Sequence, residues 1–462
     1  MKKFLVPPPH LKLLPEDQSD HAYKRLRLQV FAGIFAGYIG YYFVRRNFSL
    51  AMPYLLTLGF DKADLGFAFA CNATSYGIAK FIMGGISDQS DARKFMALGL
   101  VLASVATMLA GTALGTSSVM WMALFQALVG WFGGMGHPSG LRVMAHWFST
   151  KERGTKMSYW NASNNIGGGL LGVIAAWGVT FSLSIGLYAG LSQLLGIFWL
   201  PAAIAVMLAL IIWLLVRDTP QSCGLPSIEK HRNDYPHNYC KSSETTLKKR
   251  EIFFKYVLPN KILWIVAIAN VFVYFIRFGV LDWAPTYLME VKDYNIKEMG
   301  LAYALYEWAA IPGTILCGWL SDTVFKRRRI MTGVVYMTLV LIAIVAYWKN
   351  MDNKLIDCVA LVAIGFLIYG PLLLIVVHAL DISSKNAAGA AVGLTGFFGY
   401  FFGTSILANI VMGRVVQSYG WDAGFQMLIA SCLMTIALMV VIHWMEQRAG
   451  HIKHSHAKQI GE

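Results

Sequence analysis

Residues 84–94 read GGISDQSDARK, and residues 318–329 read GWLSDTVFKRRR. In both, a stretch opened by glycine and ending in Ser-Asp closes a long apolar run, and a basic cluster precedes the next. Ser87-Asp88 and Ser321-Asp322 stand 234 residues apart. A second pairing agrees with the first: Tyr42-x2-Arg45-x7-Pro53 returns as Tyr274-x2-Arg277-x7-Pro285, 232 residues on. Lys151 and Lys385 are again 234 apart. The chain is therefore two copies of one unit in the same orientation, which in a membrane predicts parallel halves about an axis along the membrane normal.

Composition places those units in lipid. The 462 residues are 56% hydrophobic and 14% charged, with a mean hydropathy of +0.53, whereas soluble domains carry about 25% charge. Apolar runs long enough to cross a bilayer recur along the whole length. Twelve spans are predicted, with cores at 28–48, 65–86, 95–114, 119–147, 155–180, 188–216, 261–289, 299–320, 330–348, 358–379, 387–414 and 424–445. The fold class expected is an all-α membrane protein of two six-helix halves, 1–217 and 261–462. Between them lies a polar linker, 218–260, with a short interfacial helix near 247–258. The stretch 155–216 is nearly unbroken, with only the region of Pro201 to punctuate it.

The net charge of +14 does not point to nucleic acid, because the basic residues lie mainly in short loops between apolar runs. The even-numbered connections hold Arg93-Lys94, Lys151, Arg153, Lys156, Lys326–Arg329 and Lys385. The odd-numbered ones hold fewer bases, mostly beside acids. By the positive-inside rule both termini are cytoplasmic. The polar first 27 residues lead straight into the first span, so no cleaved signal peptide is expected. The six cysteines form no CxxC pair or zinc spacing, and free thiols are expected. The tail histidines His451, His454 and His456 do not make a metal site, and the lone His378 and His443 are expected to be structural.

The residues that carry chemistry are those that a membrane helix should not hold. An arginine at the centre of such a helix costs roughly 2.5–3.5 kcal/mol by insertion scales. Tyr38, Tyr41, Tyr42 and Arg45 share one helical face by spacing. Arg45 and Arg277 occupy matching positions in the two repeats, which puts both near a midplane site at the repeat interface. Two rigid guanidiniums suit a dianion with tetrahedral oxygens, and phosphate fits best. Arg46 either joins them or snorkels to an interface. Lys80, on one stripe with Asn72 and Tyr76, adds positive charge. Glu307 is a buried acid near the cations, and Asp282 is read as gating or structural. Asn161, Asn164 and Asn165 form a polar stripe able to donate and accept, while Gly167–Gly169 is read as packing. No P-loop, HExxH or GxSxG occurs, so neither a built-in ATPase nor an enzyme is expected.

The paired loop motifs resemble those of the major facilitator superfamily, in which such charges latch helices and do not touch substrate. The strings YIGYYFVRRNFSLAMPYL (38–55), DTPQSCGLPSIEKHRNDYP (218–236), LYEWAAIPGTILCGW (305–319) and GFLIYGPLLLI (365–375) resemble its organophosphate:phosphate antiporters, and most the branch that handles glycerol 3-phosphate. The resemblance covers nearly the whole chain. It implies a bacterial inner-membrane antiporter that imports a phosphate ester against inorganic phosphate by rocking of two halves, with no cofactor and no obligatory protein partner. Hexose phosphate and phosphoglycerate are the alternative substrates, and a membrane sensor of hexose phosphate is the alternative role. It also implies that Arg45 and Arg277 bind phosphate, that Lys80 and Arg46 are the family's basic positions, that Tyr38, Tyr42, Tyr274, Tyr369 and Tyr400 line the cavity, and that Glu307 is its acid. One departure stands out. The family's span 5 reads W-N-x-x-H-N with the histidine near phosphate, whereas here it reads Trp160-Asn-Ala-Ser-Asn164-Asn165.

Overall fold

A computed structural model of the protein describes residues 5–184, 191–233, 258–326, 328–350, 353–382 and 388–460. All regular secondary structure among these residues is helical. The chain divides into two compact units, Met1–Thr245 with Tyr294–Ala304, and Thr246–Asp293 with Leu305–Glu462.

In the first unit the spans are α1 (Glu16–Thr57), α2 (Lys62–Asp88), α3 (Ala92–Ala110), α4 (Val119–Gly133) with α5 (Gly136–Trp147), α6 (Thr150–Ser184) and α7 (Leu191–Leu215). A short α8 (Ile228–Arg232) follows. The second unit holds α9 (Lys261–Glu290), α10 (Ile296–Thr323), which starts in the segment assigned to the first unit, α11 (Arg329–Lys349) and α12 (Lys354–Asp381). It ends with α13 (Ala388–Phe398), a π-helix (Gly399–Val411) and α14 (Met412–Ile460). Each of the twelve predicted spans is carried by one of these helices or by consecutive ones, 387–414 by α13, the π-helix and the start of α14. Eight stretches among the described residues are long and apolar enough to cross a membrane, and one of them, Ala391–Arg448, holds two predicted spans. Those two part at Gly420, whose φ of 80° breaks the helical path inside α14 and is one that glycine adopts readily. The helices outside the eight, α1, α2 and α10, carry Arg45, Arg46, Lys80 and Glu307.

Helix starts follow their polar residues. Asp91 caps α3 by accepting from the Arg93 and Lys94 amides, Ser118 caps α4, and Asn260 caps α9. In a bilayer such caps matter, since water is scarce and orphan N–H groups are costly. The helices also pack at backbone distance where glycine allows it. A Cβ at Gly130 of α4 would lie 2.3 Å from the Asn72 carbonyl of α2. One at Gly365 of α12 would lie 2.3 Å from the Tyr306 carbonyl of α10.

Two expectations change, the continuity of span 4 and the start of the linker. Span 4 is not one helix: it is interrupted between Gly133 and Gly136, within a run of three glycines that weakens helix propagation. Pro201 lies inside α7, within the predicted span 188–216, and membrane helices tolerate proline. The start of the linker is structured and belongs to the first unit. The Tyr23 hydroxyl donates to the Pro226 carbonyl (2.9 Å), the Tyr23 ring stacks on His231 at 4.0 Å, and the Leu11 and Leu14 amides donate to the Gln221 and Gly224 carbonyls. The helix expected near 247–258 falls almost wholly outside the described residues.

The loop motifs clamp helix ends. In the first unit Asp218 accepts from the Ala92 amide (2.9 Å) and pairs with Arg142 (3.1 Å), which also donates to the Ser87 and Ser90 carbonyls. In the second, Arg329 binds Ser321, Asp322 and Asp381. The Asp88 side chain and Lys385 lie outside what is described. Cys71, Cys223, Cys317, Cys358 and Cys432 are free thiols; Cys240 is outside the described residues.

Candidate functional site

In the first unit the buried Arg45 lies over aromatic faces. Its guanidinium carbon is 4.0 Å from the centre of the Tyr76 ring and 5.0 Å from that of Tyr42. Faces of tyrosine attract a guanidinium and hold it without neutralising it. Tyr76 is within hydrogen-bonding reach of Arg45 and Tyr38, and within charge reach of Lys80, which is half-buried on α2. Gly133 lies beside this corner, where a Cβ would make ordinary contact with the Arg45 Cδ at 3.7 Å.

A second tier extends the cluster toward α6. Tyr38 packs against Trp160 at 4.7 Å and edge-on to Tyr42 at 5.9 Å. Trp160 is fixed by its indole N–H, which donates to the Ile34 carbonyl (3.2 Å), and by Gly140, which has no side chain to meet its ring. His137, at the start of α5, lies 6.0 Å from Tyr38 and 5.5 Å from Trp160. It is within charge reach of both Lys80 and Arg45. One turn beyond Trp160, the Asn164 amide donates to the Asn161 oxygen at 2.9 Å.

The second unit holds its arginine differently. The half-buried Arg277 lies 4.1 Å from the Tyr369 ring and 4.6 Å from the Phe278 ring. Its Nη2 donates to the Tyr369 hydroxyl (3.0 Å), and that hydroxyl donates to Glu307 Oε2 (2.8 Å). Cation, phenol and carboxylate thus form one chain across α9, α12 and α10. The close approach at Gly365 brings α12 to α10 and sets Tyr369 beside Glu307. Tyr274 packs edge-on to Tyr400 at 5.1 Å, and the π-helix that carries Tyr400 is a rare form often found at functional sites.

Among the sequence-predicted residues, Arg45, Lys80, Tyr38 and Tyr42 thus gather around Tyr76. Asn161 and Asn164 pair with each other, Arg277, Tyr369 and Glu307 form the relay, and Tyr274 and Tyr400 pack together. Arg46 is buried, with its guanidinium carbon 6.0 Å from the Phe69 ring. Tyr41 leaves the expected face, since its hydroxyl donates to the Met96 carbonyl (2.7 Å). Asn72 pairs with Gln126 at 3.0 Å, and Asp282 is fully buried. Sequence reasoning put Tyr76 on the right stripe but not in the site, and it missed His137. The signal for His137 was the glycine cluster just before it, which breaks span 4 and turns residue 137 toward α1 and α6.

Comparison with known proteins follows this geometry. The chain is 50% identical over 454 residues to a glycerol-3-phosphate transporter of Bacillus subtilis, covering 98% of this chain and 100% of that one. It is 47% identical to a glycerol-3-phosphate transporter of Haemophilus influenzae, covering 94% and 95%. A bacterial homologue of the human lysosomal transporter Spinster superposes with a TM-score of 0.70 at 16% identity, over 91% of this chain and 95% of that one, a likeness of fold. The Major Facilitator Superfamily model matches residues 34–408. With most of its length matched and relatives aligned end to end, this membrane-spanning chain belongs to the Major Facilitator Superfamily.

Proposed function

We propose that the protein exchanges a phosphate ester for inorganic phosphate across the bacterial inner membrane, with glycerol 3-phosphate as the imported ester and both termini in the cytoplasm. The observation that carries this reading is the repeat-matched pair Arg45 and Arg277, held on aromatic faces in a chain half identical to a glycerol-3-phosphate transporter. The proposal assigns one guanidinium from each half to the phosphate, with Lys80 adding charge on the first side. Tyr38, Tyr42, Tyr274 and Tyr400 form its walls, and the Asn161–Asn164 pair supplies amide contacts.

A ligand can shift a two-state carrier only through its differential affinity for the two states. A phosphate gripped by arginines of both halves favours the closed form and so carries the carrier over its barrier. Uptake then draws on the outward phosphate gradient and needs no nucleotide, cofactor or metal.

The test is counterflow of labelled phosphate from proteoliposomes against external glycerol 3-phosphate, hexose phosphate and phosphoglycerate. Efflux driven best by glycerol 3-phosphate is expected. Arg45→Lys and Arg277→Lys should each nearly abolish it, because charge survives but the bidentate fork does not. Normal exchange with both arginines replaced would remove the site, and no exchange with any ester would remove the function.

A further inference from the structure

Asn161 and Asn164 of α6 carry amides, which do not titrate. The Asn164 amide is turned toward Asn161 on its own helix. One turn earlier, Trp160 faces a histidine from a different helix, His137 at 5.5 Å.

Several observations about His137 converge. Its ring lies between Tyr38 of α1 and Trp160 of α6, which limits the ways it can turn. Its Nδ1 is buried and has no hydrogen-bond partner among the described residues. A buried ring nitrogen left so is costly, and each such group in a folded protein calls for an explanation. The charged groups that face it are Arg45 of α1 and Lys80 of α2, with Tyr38 and Tyr76 as the neighbouring phenols. An imidazole among cations has no structural ion pair to make there. A phosphate drawn in by Arg45 and Lys80 would supply the missing acceptor.

We propose that His137 is a phosphate ligand of the first unit, its ring Nδ1–H donating to the anion. The inference rests on the phosphate-exchange reading above. The oxygen it meets belongs to a phosphoryl group, whether of inorganic phosphate or of the ester. A phosphoryl anion seated beside an imidazole favours its protonated form, so binding through His137 couples to proton uptake beyond that of phosphate itself.

The experiment is equilibrium binding of inorganic phosphate, and separately of glycerol 3-phosphate, to the purified full-length protein between pH 5.5 and 8. The variants are His137→Phe, His137→Gln and Arg45→Lys. His137→Phe keeps a ring against Trp160 and should weaken both ligands about tenfold at pH 6, the worth of one charge-assisted hydrogen bond. His137→Gln keeps a hydrogen-bonding group and should bind more tightly than the Phe variant, with a flatter pH profile than wild type. The titration of phosphate itself is common to all variants and cancels in that comparison. Should His137→Phe fail to fold, the profile of His137→Gln decides. Weakening of glycerol 3-phosphate without inorganic phosphate would move the contact off the phosphoryl group and overturn the inference. Wild-type affinity and profile in the His137 variants, with Arg45→Lys defective, would sink this inference and leave the phosphate reading standing. Undiminished binding in Arg45→Lys would sink the phosphate reading itself.

Discussion

The relay in the second unit can be cut with one atom. Tyr369→Phe removes the hydroxyl that accepts from Arg277 at 3.0 Å and donates to Glu307 at 2.8 Å, while leaving the ring 4.1 Å from the guanidinium. A hydrogen bond to a charged group contributes about 1.5–3 kcal/mol net. Two such bonds on one oxygen are coupled and do not simply add, so the expected loss is about 2–4 kcal/mol. For a unit of this size that lowers the unfolding midpoint by about 4–16 °C, at about 2–4 °C per kcal/mol. Tyr369→Leu removes the ring as well and should lose a further ~0.5–2 kcal/mol of cation–π attraction. The assay is a thermal ramp in detergent read by a thiol-reactive dye. Cys317 and Cys432, both buried in this unit, become labelled as it opens. If Tyr369→Phe melts within 1 °C of wild type, by about the same scale, the hydroxyl does not join the two charges and the relay is wrong.

Other consequences are as direct. A Cβ at Gly403 would meet the Val271 carbonyl at 2.4 Å, while nothing lies within 4 Å of one at Gly393. Gly403→Ala should therefore cost about 1–3 kcal/mol by overpacking, and Gly393→Ala should melt like wild type in the same ramp. At the start of α6, burial pushes the Glu152 carboxyl up, but the hydrogen bond and charge of Arg27 outweigh it and hold it below its usual range. A depressed carboxyl adds stability above its unfolded pKa, about 4.3 for Glu, and loses it as pH falls through the folded value. Melting temperature should thus drop on acidification below about pH 4.3, and less steeply in Glu152→Gln.

The legible parts of the sequence were those set by simple periodicities. Span length follows from bilayer thickness, so apolar runs placed most of the spans, and the charged α1, α2 and α10 stand outside the eight most apolar stretches. Arg45 and Arg277 stood out because charge in lipid is expensive. What stayed hidden depends on contacts between distant positions. Glu307 and Tyr369 are 62 residues apart, and nothing in either segment shows that a hydroxyl of one reaches a carboxylate of the other. Their meeting depends on Gly365, whose bare backbone lets α12 touch α10. His137 was obscured differently. A window of mean hydropathy treats 119–147 as one apolar run and passes over three glycines that end one helix and start another.

The duplication explains position but not surroundings. Tyr-x2-Arg occurs in both halves, and in the first the tyrosine does what the spacing suggests, since Tyr42 lies beneath Arg45. In the second, Arg277 lies over Tyr369 and Phe278, and Tyr274 packs edge-on to Tyr400. The two arginines therefore differ electrostatically. Arg277 reaches a carboxylate through one phenol, so part of its field is already answered within its own unit. Arg45 rests on the faces of Tyr42 and Tyr76, with Lys80 acting on the same Tyr76. Equal substitutions at the two positions should not be equivalent. Removing Arg45 relieves repulsion with Lys80, while removing Arg277 leaves Glu307 buried without the cation at the other end of its relay. Truncating one member of a buried charge system is strongly destabilising. Arg277→Ala should therefore lower the melting temperature of its unit more than Arg45→Ala lowers that of the other, and a reversed order would contradict the electrostatic asymmetry.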